Sequence, residues 1–272
     1  MSFPTPPDSV PNQRRLSNDR AQFSDAYAVI PHTVLREIVT SRLPAWQATR
    51  AWILARPLSG FAETFVQALV EVGPGGGSTR PEPDANGEGA YFVLNGTLDL
   101  DMPDGTTRLS PGGFAWIAPG ESYSVRNRTD EVVTFQWIRK AYRPAWNTPP
   151  AVSFTADIES VPAIPMANAD GRWRTQRLID PDDIAHDMHI NVVTFDPGAS
   201  IPFAETHVME HGIYVLSGQA VYRLNQDWVE VEAGDFLWLR AFCPQACYAG
   251  GPDPFMYLLY KDVNRHPSLE LC

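Results

Sequence analysis

Basic charge is scarce in this chain. Its 272 residues carry 21 Lys and Arg against 32 Asp and Glu, a net charge of −11. A nucleic-acid surface needs a basic footprint, and attachment to anionic lipid needs the same, so the balance argues against both partners. Long apolar runs are missing too. Nothing approaches the roughly 18 consecutive apolar residues of a spanning helix. The first residues, Met1-Ser-Phe-Pro-Thr-Pro-Pro7, lack the basic-then-apolar pattern of a secretory signal, and a cytoplasmic location is expected. The three cysteines, Cys243, Cys247 and Cys272, are too few for a disulfide framework and read as small buried or free thiols. Helical periodicity is also sparse.

What is present is strand. Short runs rich in Val, Phe, Tyr and Trp, such as Phe114-Ala-Trp-Ile117 and Phe236-Leu-Trp-Leu239, alternate with turns drawn from 25 prolines and 19 glycines. That pattern predicts an all-β sandwich or barrel. The chain also repeats. Tyr91-Phe-Val-Leu-Asn-Gly96 matches Ile213-Tyr-Val-Leu-Ser-Gly218, and Pro111-Gly-Gly-Phe-Ala-Trp116 matches Ala233-Gly-Asp-Phe-Leu-Trp238. Thr134-Phe135 matches Met256-Tyr257, and the steps from 91 to 213, 111 to 233 and 134 to 256 are all 122 residues. One constant offset predicts two tandem copies of one β unit. The expected layout is an arm at 1–59, a first barrel at 60–140, a linker at 141–182 and a second barrel at 183–272.

Four of the six histidines (His186, His189, His207 and His211) fall within 26 residues. Among them runs Glu205-Thr-His207-Val-Met-Glu-His211-Gly212. On a strand, Glu205 and His207 face one way. A hard anionic oxygen and two imidazoles suit a divalent first-row metal. Each copy has the glycine-turn pattern of a cupin, a small double-stranded β-helix or jelly roll. In the cupin frame Glu205 and His207 take the two histidine places of the first motif. His211 takes the glutamate place, with Gly218 seven residues on, and Gln245 follows Gly234 by eleven. At the 122 offset the first copy has Pro83, Ala85, Gly89 and Tyr123 instead, so only the second copy is expected to hold a metal. The donor set suits Mn²⁺, with Fe²⁺ or another divalent ion as alternatives. Two neutral histidines, one amide and one carboxylate leave a divalent site net positive. Lys261 alternates with Tyr257 on one strand and adds charge at the same face. The pocket therefore suits a small carboxylate substrate. Cys243 and Cys247 flank Gln245 and can share its face. Glu210, beside His211, reads as solvent-facing by alternation, or as a group orienting a ligand.

The residues from Glu205 to Gly212, followed by Tyr214-Val-Leu-Ser-Gly-Gln219 and Val221-Tyr222, resemble the (S)-ureidoglycine aminohydrolases, which are bicupins. Gly234-Asp-Phe236, Gln245-Ala246, Tyr257, Lys261-Asp262 and Asn264-Arg265 extend the likeness, and Asp19-Arg-Ala21 and Val72-Gly-Pro-Gly-Gly-Gly77 carry it less specifically toward the N-terminus. The resemblance implies Mn²⁺ on Glu205, His207, His211 and Gln245, and a substrate pocket lined by Tyr222, Tyr257 and Lys261. It implies an enzyme hydrolysing a C–N bond, turning (S)-ureidoglycine and water into (S)-ureidoglycolate and ammonia in purine and allantoin degradation. Cupins of this kind assemble, so a homo-oligomer is expected. One departure stands out: the family strand reads Asn-x-His, whereas this chain has His189-Ile-Asn191, both on the pocket face. That exchange keeps open another metal cupin enzyme (a dioxygenase, isomerase or decarboxylase) acting on a small acid. A non-catalytic ligand-binding bicupin is the further alternative, and the intact second-copy donor set speaks against it.

Overall fold

The computed structural model describes residues 20–35, 40–57, 61–167 and 170–262. Asn264, Arg265 and Cys272 lie outside them, as do Asp19 and the residues before it. Among the described residues no helix is long and apolar enough to cross a membrane. The chain is all-β, with two tandem barrels packed against each other.

One sheet orders Tyr27–Ile30, Phe236–Leu239, His211–Ser217, Phe255–Asp262, Met188–Phe195 and Trp173–Arg177, flanked by Gln22–Phe23 and Ala163–Pro165. The other orders Phe154–Asp157, Gly113–Ile117, Gly87–Asn95, Val133–Ala141 and Phe65–Ser78, with Gln47–Ala55 paired to the last. Strand for strand these are one arrangement built twice. The registers agree as well. Phe92 lies opposite Phe114 as Tyr214 lies opposite Phe236, and Arg139 lies opposite Gly89 as Lys261 lies opposite His211. Gly96 and Gly218 sit at matching turns, both at φ +75°. A side chain on Gly218 would meet the Pro254 carbonyl oxygen at 2.4 Å, so this turn admits only glycine. Both turns adjoin a bulge in the central pairing.

The 122-residue offset does not hold throughout. Met188 faces Asp262 where Phe65 faces Lys140, an offset of 123 on one side against 122 on the other. The second copy is therefore one residue shorter than the first between Phe195 and His211. On the longer offset Glu82, rather than Pro83, corresponds to Glu205.

The leading strand of each copy joins the other copy's sheet. Tyr27–Ile30 pairs with Phe236–Leu239 of the second barrel, and Phe154–Asp157 pairs with Gly113–Ile117 of the first. The described parts of the segments read as arm and linker thus complete sheet edges that would otherwise offer unpaired backbone. Three cores result. Each barrel has its own interior, around Phe135 and Tyr91 in the first and around Phe195 and Tyr222 in the second. A third core is shared between the sheets, where Phe65, Phe92, Phe114 and Trp116 meet Ile190, Tyr214, Phe236, Trp238 and Tyr260. Phe65 and Tyr260 stack across it at 4.1 Å. Each such ring contributes about 1.5–3 kcal/mol by burial alone.

Candidate active site

Three neighbouring strands of the second barrel set one row of side chains. Lys261 is central, opposite His189 on one side and His211 on the other. Alternation places Asn191 and then Val193 and Phe195 on the face of His189, and Tyr257 on the face of Lys261. Val193, Phe195, Leu259 and Tyr257 all belong to the barrel interior, so the row opens into it. The opposing wall is a small sheet of Asp227–Glu232, Gln219–Leu224 and Gln245–Tyr248. It supplies Tyr222 and Gln245. The Tyr222 hydroxyl lies 3.4 Å from Gln245 Oε1 and 3.5 Å from the Tyr257 hydroxyl.

Glu205 and His207 do not sit on a strand, contrary to the expectation from their spacing. They lie in a loop held by a single bridge, in which Glu205 and Gln245 exchange two backbone hydrogen bonds of 2.9 Å. Upstream the next bond is from Ile201 N to the Cys247 carbonyl, and between that bond and the Glu205–Gln245 bridge the register shifts. The side chains meet all the same. His207 Nε2 is 3.4 Å from Glu205 Oε1, and the His207 ring is centred 5.0 Å from that of His211. The residues singled out from sequence (Glu205, His207, His211, Gln245, Tyr222, Tyr257, Lys261, His189 and Asn191) therefore form one contiguous cluster, with Asn191 one row deeper than His189.

Burial sets the protonation states. It pulls the His211 imidazole well below its usual range, helped by Lys261 and His207. Among the described residues neither His211 nitrogen has a hydrogen-bond partner, so a neutral donor with lone-pair capacity stands inside the barrel. His189 is lowered by burial and by Lys261, and Lys261 is lowered by burial against the pull of Glu205. Burial raises Tyr222 and Tyr257 well above 10, so both phenols keep their protons. The set fits a divalent cation: an orphaned buried imidazole, a second imidazole, a carboxylate and an amide oxygen. The tightest trio of histidine and acidic donors among the described residues lies elsewhere, at His32, Glu232 and Asp235. There Arg20 already pairs with both carboxylates at 2.5 Å. That cluster clamps the N-terminal segment to the second sheet. The Glu205, His207 and His211 donors form a looser constellation.

One reading changes. Glu210 does not face solvent. Its carboxylate accepts from Trp238 Nε1 at 2.9 Å, from Thr64 N at 2.6 Å and from Glu63 N. Its own N–H donates to Asp262 at 2.6 Å. It binds the second barrel to the loop entering the first, a partner no local pattern could reveal. Its first-copy counterpart, Glu88, likewise accepts from Trp116. Cys243 and Cys247 are plain thiols, as expected. Cys247 shares the face of Gln245, Cys243 sits in the preceding turn, both are unbridged, and burial pushes both upward in pKa.

Two barrels of one topology, one of them lined with metal-type donors, define a two-copy cupin. The cupin domain model matches residues 68–139 and 191–260. The chain is 30% identical over 229 residues to the (S)-ureidoglycine aminohydrolase of Escherichia coli (strain K12), covering 84% of this chain and 86% of that protein. A solved structure from Pseudomonas aeruginosa superposes with a TM-score of 0.90 at 55% identity over 100% of both chains. Protein Ylba from E. coli superposes at 0.81 and 27% identity, over 95% of this chain and 100% of that one. The chain belongs to the (S)-ureidoglycine aminohydrolase family.

Proposed function

We propose that this chain hydrolyses (S)-ureidoglycine to (S)-ureidoglycolate and ammonia in the cytoplasm, as a homo-oligomer, with a divalent cation, Mn²⁺ first, held by Glu205, His207, His211 and Gln245. The observation that carries this reading is the clustering of those four residues with Tyr222, Tyr257 and Lys261 in a chain of this family. The cation would supply Lewis acidity and a template for the substrate carboxylate. The other roles fall to the protein. Lys261 balances the carboxylate charge and fixes which face of the central carbon is open. The ureido nitrogen lone pair expels the amine, which leaves as ammonia after taking a proton. Tyr222 and Tyr257, protonated and in line with each other, are placed to relay that proton and to bond the ureido group. Water then adds its oxygen to the imine carbon and returns a proton, giving the hydroxy acid. His189 and Asn191 stand at the same wall and line the substrate pocket.

Ammonia release from freshly generated (S)-ureidoglycine tests this. Release above the spontaneous rate, restored by Mn²⁺ after metal removal and lost in Glu205→Ala, is expected. Background release in the metal-loaded wild-type protein would assign the pocket to a different small acid.

A further inference from the structure

The wall of the second barrel extends one strand beyond the row just described. Trp173–Arg177 pairs with Met188–Phe195, with Trp173 opposite Phe195, Thr175 opposite Val193 and Arg177 opposite Asn191. Directly opposed residues of an antiparallel pair share a face. Trp173 belongs to the barrel interior with Phe195 and Val193, and Thr175 is buried between them in the ladder. Arg177 is therefore the last inward-facing position of this strand, at the end where His189, Lys261 and His211 lie. It is also exposed, so its guanidinium stands at the rim rather than in the core. It has no hydrogen-bond or ion-pair partner among the described residues, whereas Arg174 on the same strand is bound to Asp196 at 2.6 Å and 3.0 Å. Its charge is felt inside, since Arg177 together with Lys261 lowers the proton affinity of His189, after burial as the main cause. In the first barrel the register-matched position, opposite Ala68, is Ile53, an exposed but apolar side chain.

We infer that Arg177 is a substrate-binding residue at the mouth of the second barrel, whose guanidinium captures the carboxylate of the incoming small acid. Resting on the function proposed above, this adds a second cationic reader to Lys261. A planar fork of donors matches a carboxylate, and a protein of net charge −11 repels anions everywhere except where such groups are focused. The contact is made in the ground state and kept through the reaction, so it sets KM rather than kcat.

The test compares wild-type, Arg177→Gln and Arg177→Lys holoenzymes on (S)-ureidoglycine. It also measures calorimetric binding of N-carbamoylglycine, which keeps the ureido and carboxylate groups but has no amine to lose. Arg177→Gln is expected to raise KM and weaken N-carbamoylglycine about tenfold, the size of one charge-assisted contact, with kcat within about twofold. Arg177→Lys should recover part of the loss, and the difference should shrink in high salt. Unchanged KM and unchanged N-carbamoylglycine binding in Arg177→Gln, with an active wild-type enzyme, would overturn the role of Arg177 alone. A wild-type protein that neither turns over ureidoglycine nor binds the analogue would overturn both readings. A wild type that binds the analogue without turnover, and loses that binding in Arg177→Gln, would sustain Arg177 and sink the proposed reaction.

Discussion

The first barrel shows what the second would be without chemistry. Where the second has His211, the first has Gly89, and the Trp137 indole nitrogen would lie 3.3 Å from a side chain placed there. Where the second has Gln245, the first has Tyr123, hydrogen-bonded to Tyr91 at 2.8 Å. Tyr91 in turn stacks on Trp137. Lys261 is matched by Arg139 and, on the longer offset, Glu205 by Glu82, and the first copy closes these two on each other, with Arg139 Nε 2.6 Å from Glu82. The seams differ in the same sense. Gly77 and Ser78 pair with Arg126 and Val125, making the first barrel wall continuous. The second barrel keeps only the isolated bridges Ser200–Tyr248 and Glu205–Gln245 along that line. One fold thus has two uses for its interior. Rings and an internal ion pair fill one copy, and the other keeps unspent donors facing space. The register shift between those two bridges is where Glu205 and His207 enter.

The sharpest way to break this contrast is to remove a donor. Glu205→Ala or His211→Ala should lower turnover by about a hundredfold to a thousandfold, the scale of losing a central electrostatic group. Metal analysis should find one ion per wild-type chain and none in these variants. Two ions per chain would require a second site, in the first barrel or at the His32, Glu232 and Asp235 cluster. The next test asks where the barrels are alike. Glu210→Ala strips the acceptor from Trp238, Thr64 and Glu63 and should cost about 3 kcal/mol in denaturant unfolding. Glu88→Ala, which strips Trp116, should also destabilise clearly; a negligible effect there would end the claimed equivalence. Tyr123→Phe should cost only about 1 kcal/mol, through its bond to Tyr91, and leave metal content and rate unchanged.

The smallest effect is in pH. Burial and the neighbouring Glu210 raise the Asp262 carboxyl to about 6. A folded-state value above the unfolded one means the native state holds the proton longer. Asp262 therefore lowers stability progressively as pH rises from about 4 through 6, and the loss is complete above that. Asp262→Asn keeps an acceptor for the Glu210 N–H and should raise stability at pH 7 by on the order of 1 kcal/mol, with no gain at pH 4. An equal gain at both values would assign the effect to packing.

Much of this was legible in the chain. The offset of 122 foretold two copies of one β unit, and the central registers agree with it because a repeated glycine turn fixes hairpin register. The cupin frame placed Glu205, His207, His211 and Gln245 near each other before any coordinates. Other features were not readable, for identifiable reasons. Ala28 and Val29 would pack equally well at the edge of either sheet, so local pattern cannot say that the leading strands are exchanged. Alternation sent Glu210 to solvent because its partners, Glu63 and Thr64, lie far away in sequence. Arg177 carried a readable signal in Trp173-x-Thr175-x-Arg177, an inward face ending in a charge, but its meaning depended on knowing the neighbouring strand.

The exchanged leading strands have a consequence for how the protein is made. Tyr27–Ile30 leaves the ribosome long before its partner Phe236–Leu239 exists, and the first barrel lacks Phe154–Asp157 until synthesis has passed its own end. Neither half can close on its own timetable. Each waits with a bare sheet edge for the other, which is the condition under which nascent chains stick to each other. Splitting the gene between the barrels would therefore yield two partners that must find one another in trans, each missing the piece the other carries.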